Sequence, residues 1–203
     1  AGGTGTRLSP LTKAVNKQLL PLYDKPLIFY PLSILMLAGI RDILIIVNDG
    51  QEKNFFNILG NGKRYGINIK YKVQKKPRGI ADAFILGKNF IKKDNIALIL
   101  GDNFFYGQSL TAKLLKAESH HSGATIFLKT VKNPESFGVA VIKKNQINHI
   151  AEKPKKFISN QAITGLYFFD NEVVKIASKI KPSKRDELEI TDVLKSYQNS
   201  KKL

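Results

Sequence analysis

The chain has 203 residues, 43% of them hydrophobic, with no Cys and no Trp; it is long enough to bury a core and too apolar to be disordered. Without Cys it can hold no disulfide framework, no Cys-based zinc site and no thiolate nucleophile. The net charge is +17, but 28 of the 33 basic residues are Lys, spread in pairs such as Lys75-Lys76 and Lys155-Lys156 without interleaved aromatics, which reads as a solvated surface attractive to small polyanions and not as a nucleic-acid face.

The apolar run Leu27 to Ile40 contains Pro31 and is shorter than the about 20 residues of a membrane span, so it predicts a buried helix over Leu27 to Ala38. Unbroken apolar runs at Ile43 to Val47, Ile96 to Leu100 and Thr125 to Leu128 predict buried parallel strands, and the alternation in Ile67 to Val73 predicts another. Helical patterns fall between them at Gln51 to Leu59, Ala81 to Ile91 and Leu110 to Ser119. Strand and helix taking turns predict an α/β fold, Rossmann-like and doubly wound around a mostly parallel sheet. Val139 to Ile142, Ile147 to Ala151 and Ala162 to Phe169 predict strands with short connections, a small β-rich lobe able to cover a substrate. Two helices follow, Glu172 to Ile180 and Thr191 to Gln198, the second with Thr191 as its cap. No secretory signal or lipidation motif is visible, so a soluble cytoplasmic protein with no membrane partner is expected.

The chain opens at Ala1-Gly2-Gly3 with no initiator Met, although a Gly-rich loop in an α/β fold ordinarily follows a strand. The 203 residues are therefore expected to be a single domain incomplete at both ends. Without a central first strand, they are expected to fold poorly and lack activity when produced alone.

Four constellations carry chemistry. Gly2-Gly3-Thr4-Gly5-Thr6-Arg7 allows backbone N–H groups to approach an anion. It is neither a Walker loop, which needs Lys-Ser/Thr after its last Gly, nor a dinucleotide fingerprint, since Leu8 stands at the third Gly position. Lys17, in Lys17-Gln18-Leu19-Leu20-Pro21, is a loop cation able to reach a phosphate. Asp102, in Leu100-Gly101-Asp102-Asn103, follows a buried strand where open α/β sheets place ligand chemistry, and an acid beside phosphates suits Mg²⁺. Phe137-Gly138-Val139 with Glu152-Lys153-Pro154 supplies a carboxylate for sugar hydroxyls and a cation for a phosphate. His120, His121 and His149 have no metal or triad spacing.

In this order the strings AGGTGTRLSPLT, KQLLPLYDKPLIFYPLSILMLAGI, LGDNFFYG, FGV, EKP, ITGLYFFD and PSKRDELEITDV resemble the nucleoside-diphosphate-sugar pyrophosphorylases. KQLLPLYDKP with YPLS resembles their glucose-1-phosphate thymidylyltransferase branch. The resemblance implies a nucleotidyltransferase joining dTTP and glucose 1-phosphate into dTDP-glucose and pyrophosphate, the first step toward dTDP-rhamnose and related deoxysugars, with Mg²⁺ as cofactor and a homo-oligomeric, tetrameric parent. It assigns Gly2, Gly3, Gly5 and Thr6 to the nucleotide loop, Arg7 to the β- and γ-phosphates and Lys17 to the reacting phosphates. Gln74 and the backbone at Gly79 would read the base, and Asp102 would bind the metal with Asn103 near the sugar. Gly138, Glu152, Lys153 and the backbone at Ile163 would form the glucose-phosphate pocket; Arg7, Lys17, Asp102 and Lys153 would carry catalysis. Asp82 stands where the branch usually has Gln, and the loop Lys75-Lys76-Pro77-Arg78 is unusually basic. A sibling uridylyl- or cytidylyltransferase, or a non-catalytic regulatory homologue, are the alternatives.

Overall fold

The computed structural model describes residues 1–3, 5 and 8–203. In chain order the helices are α1 (Leu11–Ala14), α2 (Phe29–Leu37), α3 (Glu52–Leu59), α4 (Asp82–Leu86), α5 (Lys88–Ile91), α6 (Leu110–Glu118), α7 (Glu172–Ala177) and α8 (Ile190–Asn199). The strands are β1 (Pro21–Leu22), β2 (Lys25–Pro26), β3 (Asp42–Asn48), β4 (Asn68–Gln74), β5 (Ile96–Ile99), β6 (Ala124–Thr130), β7 (Gly138–Lys143), β8 (Gln146–Glu152) and β9 (Gln161–Phe169). They form two compact units, Ala1–Pro77 with Ile99–Glu118, and Arg78–Leu98 with Ser119–Leu203.

In the first unit β3 and β4 are parallel, paired from Asp42↔Asn68 to Asn48↔Gln74. A parallel pair needs a crossover, and α3 supplies it. Ile43, Ile45 and Val47 are buried on one face of β3, and Phe55 and Leu59 of α3 are fully buried. Pro31 lies in the first turn of α2, where its missing N–H would have no helical partner, so the helix tolerates it and buries Leu32, Ile34 and Leu35.

In the second unit β9 is the hub of a five-stranded sheet in the order β5-β9-β7-β8, with β6 also on β9. Its residues Leu166 to Phe169 are all buried. Phe84 of α4 meets Phe169 edge-on at 5.3 Å between ring centroids. Val173 and Ala177 of α7 and Val193, Leu194 and Tyr197 of α8 complete the core against Ala140 and Ile150. Asp170 ties the end of β9 to this core by accepting bonds from the Gly123 N–H at 2.6 Å and the Tyr197 hydroxyl at 2.5 Å. Burial, then the bond to Asp170, pushes the Tyr197 phenol above its ordinary value.

Three expectations are corrected. The segment Thr125 to Leu128 lies in a strand antiparallel to β9, with Thr125 opposite Phe168; an apolar run reports burial and carries no information on direction. The helix expected over Ala81 to Ile91 is broken into α4 and α5 at Gly87, which caps one and opens the other. Glu189, not Thr191, is the cap of α8, and Thr191 is buried inside its first turn. Among the described residues, no helix is long and apolar enough to cross a membrane.

Candidate functional site

In the first unit, Gly2, Gly3, Gly5, Lys17 and Asp102 line one cavity together with Leu8 and Gln18. Thr6 and Arg7, placed by the resemblance on this loop, lie outside the described residues. Lys17 is carried on a short 3-10 turn that follows Asn16, whose side chain accepts from the Gln18 N–H. The turn aims the Lys17 Nζ at Asp102 Oδ2, 2.6 Å away, while the Asn103 amide donates to Asp102 Oδ1 at 3.0 Å. Burial by itself would raise the Asp102 carboxyl, but the Lys17 ammonium and the Asn103 amide outweigh it and hold Asp102 below the usual carboxylate range.

An ionised carboxylate beside an anion-accepting backbone loop fits Mg²⁺, which takes one or two protein carboxylates and completes its shell with substrate oxygens and water. Among the described residues no group of three His, Cys, Asp or Glu side chains could cage a metal.

Gln74 ends β4 as the register partner of Asn48, and its Oε1 faces Gly2, where an added Cβ would come within 2.9 Å of it. Asn48, which sequence reasoning passed over, accepts from the Gly3 N–H at 3.1 Å and donates to the Gly3 carbonyl at 2.8 Å.

Of the sugar-phosphate candidates, the second unit holds Gly138, Glu152, Lys153 and Ile163, whereas Asn103 lies in the first unit. Gly138 of β7 lies opposite Glu152 of β8; an added Cβ at Gly138 would come within 2.8 Å of the Thr191 methyl and 3.1 Å of Glu152 Oε2. Ile163, on β9, is buried and opposite Leu128. Lys153 is exposed, with its N–H donated to the Phe137 carbonyl at 2.9 Å and a left-handed φ of 40°.

Arg185 was missed too. Its guanidinium reaches Glu152 at 3.1 Å and Glu189 at 2.8 Å, within the string PSKRDELEITDV that carried the resemblance without a role. Burial, then the neighbouring Glu189, raises the Glu152 carboxyl above its ordinary range despite Arg185 and Lys153. Gly79, expected at the base, packs under Leu188 of its own unit: the Leu188 N–H donates to the Arg78 carbonyl at 2.7 Å and the Ala81 N–H to the Leu188 carbonyl at 3.2 Å.

An α/β unit with a glycine loop over a Lys–Asp pair, and a β-rich unit with a Gly–Glu–Lys cluster, define a nucleotide-sugar transferase fold. Residues 1–203 match the model of the family described as Nucleotidyl transferase, and the chain belongs to that family. It is 54% identical over 198 residues to the glucose-1-phosphate thymidylyltransferase of Neisseria meningitidis serogroup A, covering 97% of this chain and 69% of the relative. The Mycobacterium tuberculosis protein of the same name is 47% identical over 204 residues, covering 100% of this chain and 70% of its own length. A Bacillus anthracis structure assigned as such an enzyme, with sucrose bound, superposes with a TM-score of 0.92 at 39% identity, covering 100% of this chain and 82% of that one. A UDP-glucose pyrophosphorylase in complex with UDP-glucose superposes at 0.82 and 26% identity, covering 100% of this chain and 86% of that one.

Proposed function

We propose that this chain is a nucleotidyltransferase that joins dTTP and glucose 1-phosphate to give dTDP-glucose and pyrophosphate. The observation that carries the reading is the 54% identity to a thymidylyltransferase, in a chain that has the glycine loop, Lys17, Asp102, Glu152 and Lys153. A phosphate oxygen of the sugar phosphate forms a bond to the α-phosphorus of dTTP, and the bond from that phosphorus to the bridging oxygen breaks. Pyrophosphate leaves with the electron pair. No side-chain nucleophile is needed, in keeping with a chain that has no Cys.

The protein's work is to hold two polyanions and offset their charge. Gly2, Gly3 and Gly5 present backbone to the triphosphate, and Lys17 leaves Asp102 for a phosphate oxygen. Arg7 contributes charge from the same loop, Gln74 reads the base edge, and Glu152 accepts sugar hydroxyls while Lys153 holds the sugar phosphate. Asp102 is the residue that would hold Mg²⁺, which when bound would neutralise phosphate charge.

The test is pyrophosphate release by the protein with glucose 1-phosphate, Mg²⁺ and each of dTTP, UTP and CTP. Preference for dTTP is expected. Turnover with UTP alone would move the protein to the uridylyl branch, and no turnover with any nucleotide would overturn the reading.

A further inference from the structure

We infer that Asn48 is a positioning residue for nucleotide binding, acting as a clamp on Gly3 through that residue's N–H and carbonyl; this rests on the nucleotide role proposed above for that loop. An Asn side-chain amide carries a donor and an acceptor spaced like those of a peptide group. Asn48 uses both on one residue, accepting from the Gly3 N–H at 3.1 Å and donating to the Gly3 carbonyl at 2.8 Å. Gly3 is thereby fixed at a φ of 97°, a conformation that costs an L side chain dearly.

The anchor is firm because Asn48 is the last residue of β3, locked to β4 by the register Asn48↔Gln74. The same pairing sets the two side chains around Gly2: a Cβ there would lie 2.9 Å from Gln74 Oε1 and 3.5 Å from Asn48 Oδ1. Asn48 thus couples the strand that carries the base-reading Gln74 to the loop that carries the phosphate-binding backbone. The distance between those two nucleotide subsites is set by its side-chain length. Ala loses both bonds. Asp keeps the acceptor but turns an oxygen toward the Gly3 carbonyl.

The experiment uses the protein with Asn48→Ala and Asn48→Asp. Steady-state kinetics separate the KM for dTTP from that for glucose 1-phosphate, and amide hydrogen exchange is read at Gly3. Both variants are expected to raise the dTTP KM about tenfold, the effect of one or two modest hydrogen bonds. The glucose 1-phosphate KM should change by less than about twofold, and exchange at Gly3 should quicken. Equal losses on both substrates, or an unchanged dTTP KM, would overturn the inference. If Asn48→Ala does not fold, Asn48→Asp decides by the same readouts. Were wild type inert with every nucleotide, the functional reading would fail by itself. Exchange at Gly3 would then decide the clamp, unchanged protection refuting it.

Discussion

Replacing Asp102 by Asn tests the centre of the first unit in two ways. A strand-end Asp is expected from sequence to contribute little to packing, yet here its side chain is only 31% exposed and lies 2.6 Å from a Lys17 ammonium that is 32% exposed. A hydrogen bond to a charged group contributes about 1.5–3 kcal/mol, reduced by the remaining solvent access and by the acceptor that Asn retains. We expect a loss of about 1–2 kcal/mol at pH 7. For a chain of this size each kcal/mol shifts the midpoint by about 2–4 °C, so melting should fall by roughly 2–8 °C. The folded-state Asp102 titrates below its ordinary value. Its stabilisation is therefore complete above the unfolded carboxylate range and is lost as pH falls through the folded value. Thermal unfolding by circular dichroism between neutral pH and pH below the carboxylate range should show the gap between wild type and variant closing on acidification. In the same preparations, Mg²⁺-dependent pyrophosphate release should drop about 10²-fold or more. A variant that melts with wild type at pH 7 and responds to Mg²⁺ as wild type does would refute both the ion pair's contribution and the metal role.

Gln74→Ala should raise the nucleotide KM about tenfold, from the about 1–3 kcal/mol of a lost buried partner, and leave the glucose 1-phosphate KM unchanged in steady-state assays. Gly79→Ala should melt well below wild type: φ is 92° and the new Cβ would lie 2.5 Å from the Leu188 carbonyl oxygen, adding a backbone clash to about 1–3 kcal/mol of strain; wild-type melting would count against that packing. Glu152 titrates above its ordinary range, from burial and then Glu189, so its ionised form costs stability that appears as pH rises from the unfolded to the folded value. Glu152→Gln should accordingly melt at or above wild type at pH 8, with the gap closing in acid, while the KM for glucose 1-phosphate rises; a variant that melts below wild type at pH 8 would contradict this.

The amino-acid order alone determined the elements that rest on local physics. Apolar runs and helical periodicity placed β3, β4, α2, α3 and β9 to within a few residues, because burial of a face leaves a period in the sequence. The glycine loop, Lys17, Asp102 and the Gly138–Glu152 pair were legible for a related reason: each is a short string whose residue types suit phosphate or sugar chemistry. Tertiary structure decided what depends on partners distant in the chain. Strand direction is one such property, so β6 reads as a buried strand yet pairs antiparallel with β9. Asp102 looks like an exposed turn residue until Lys17, 85 positions away, neutralises it. Asn48 carries no motif; its contact with Gly3, 45 positions away, exists only once β3 is folded. Arg185 likewise becomes the counter-charge of Glu152 only when a segment 33 residues away returns to that strand. Local propensity acts over a few residues, whereas ion pairs and strand register are set by which segments the core brings together.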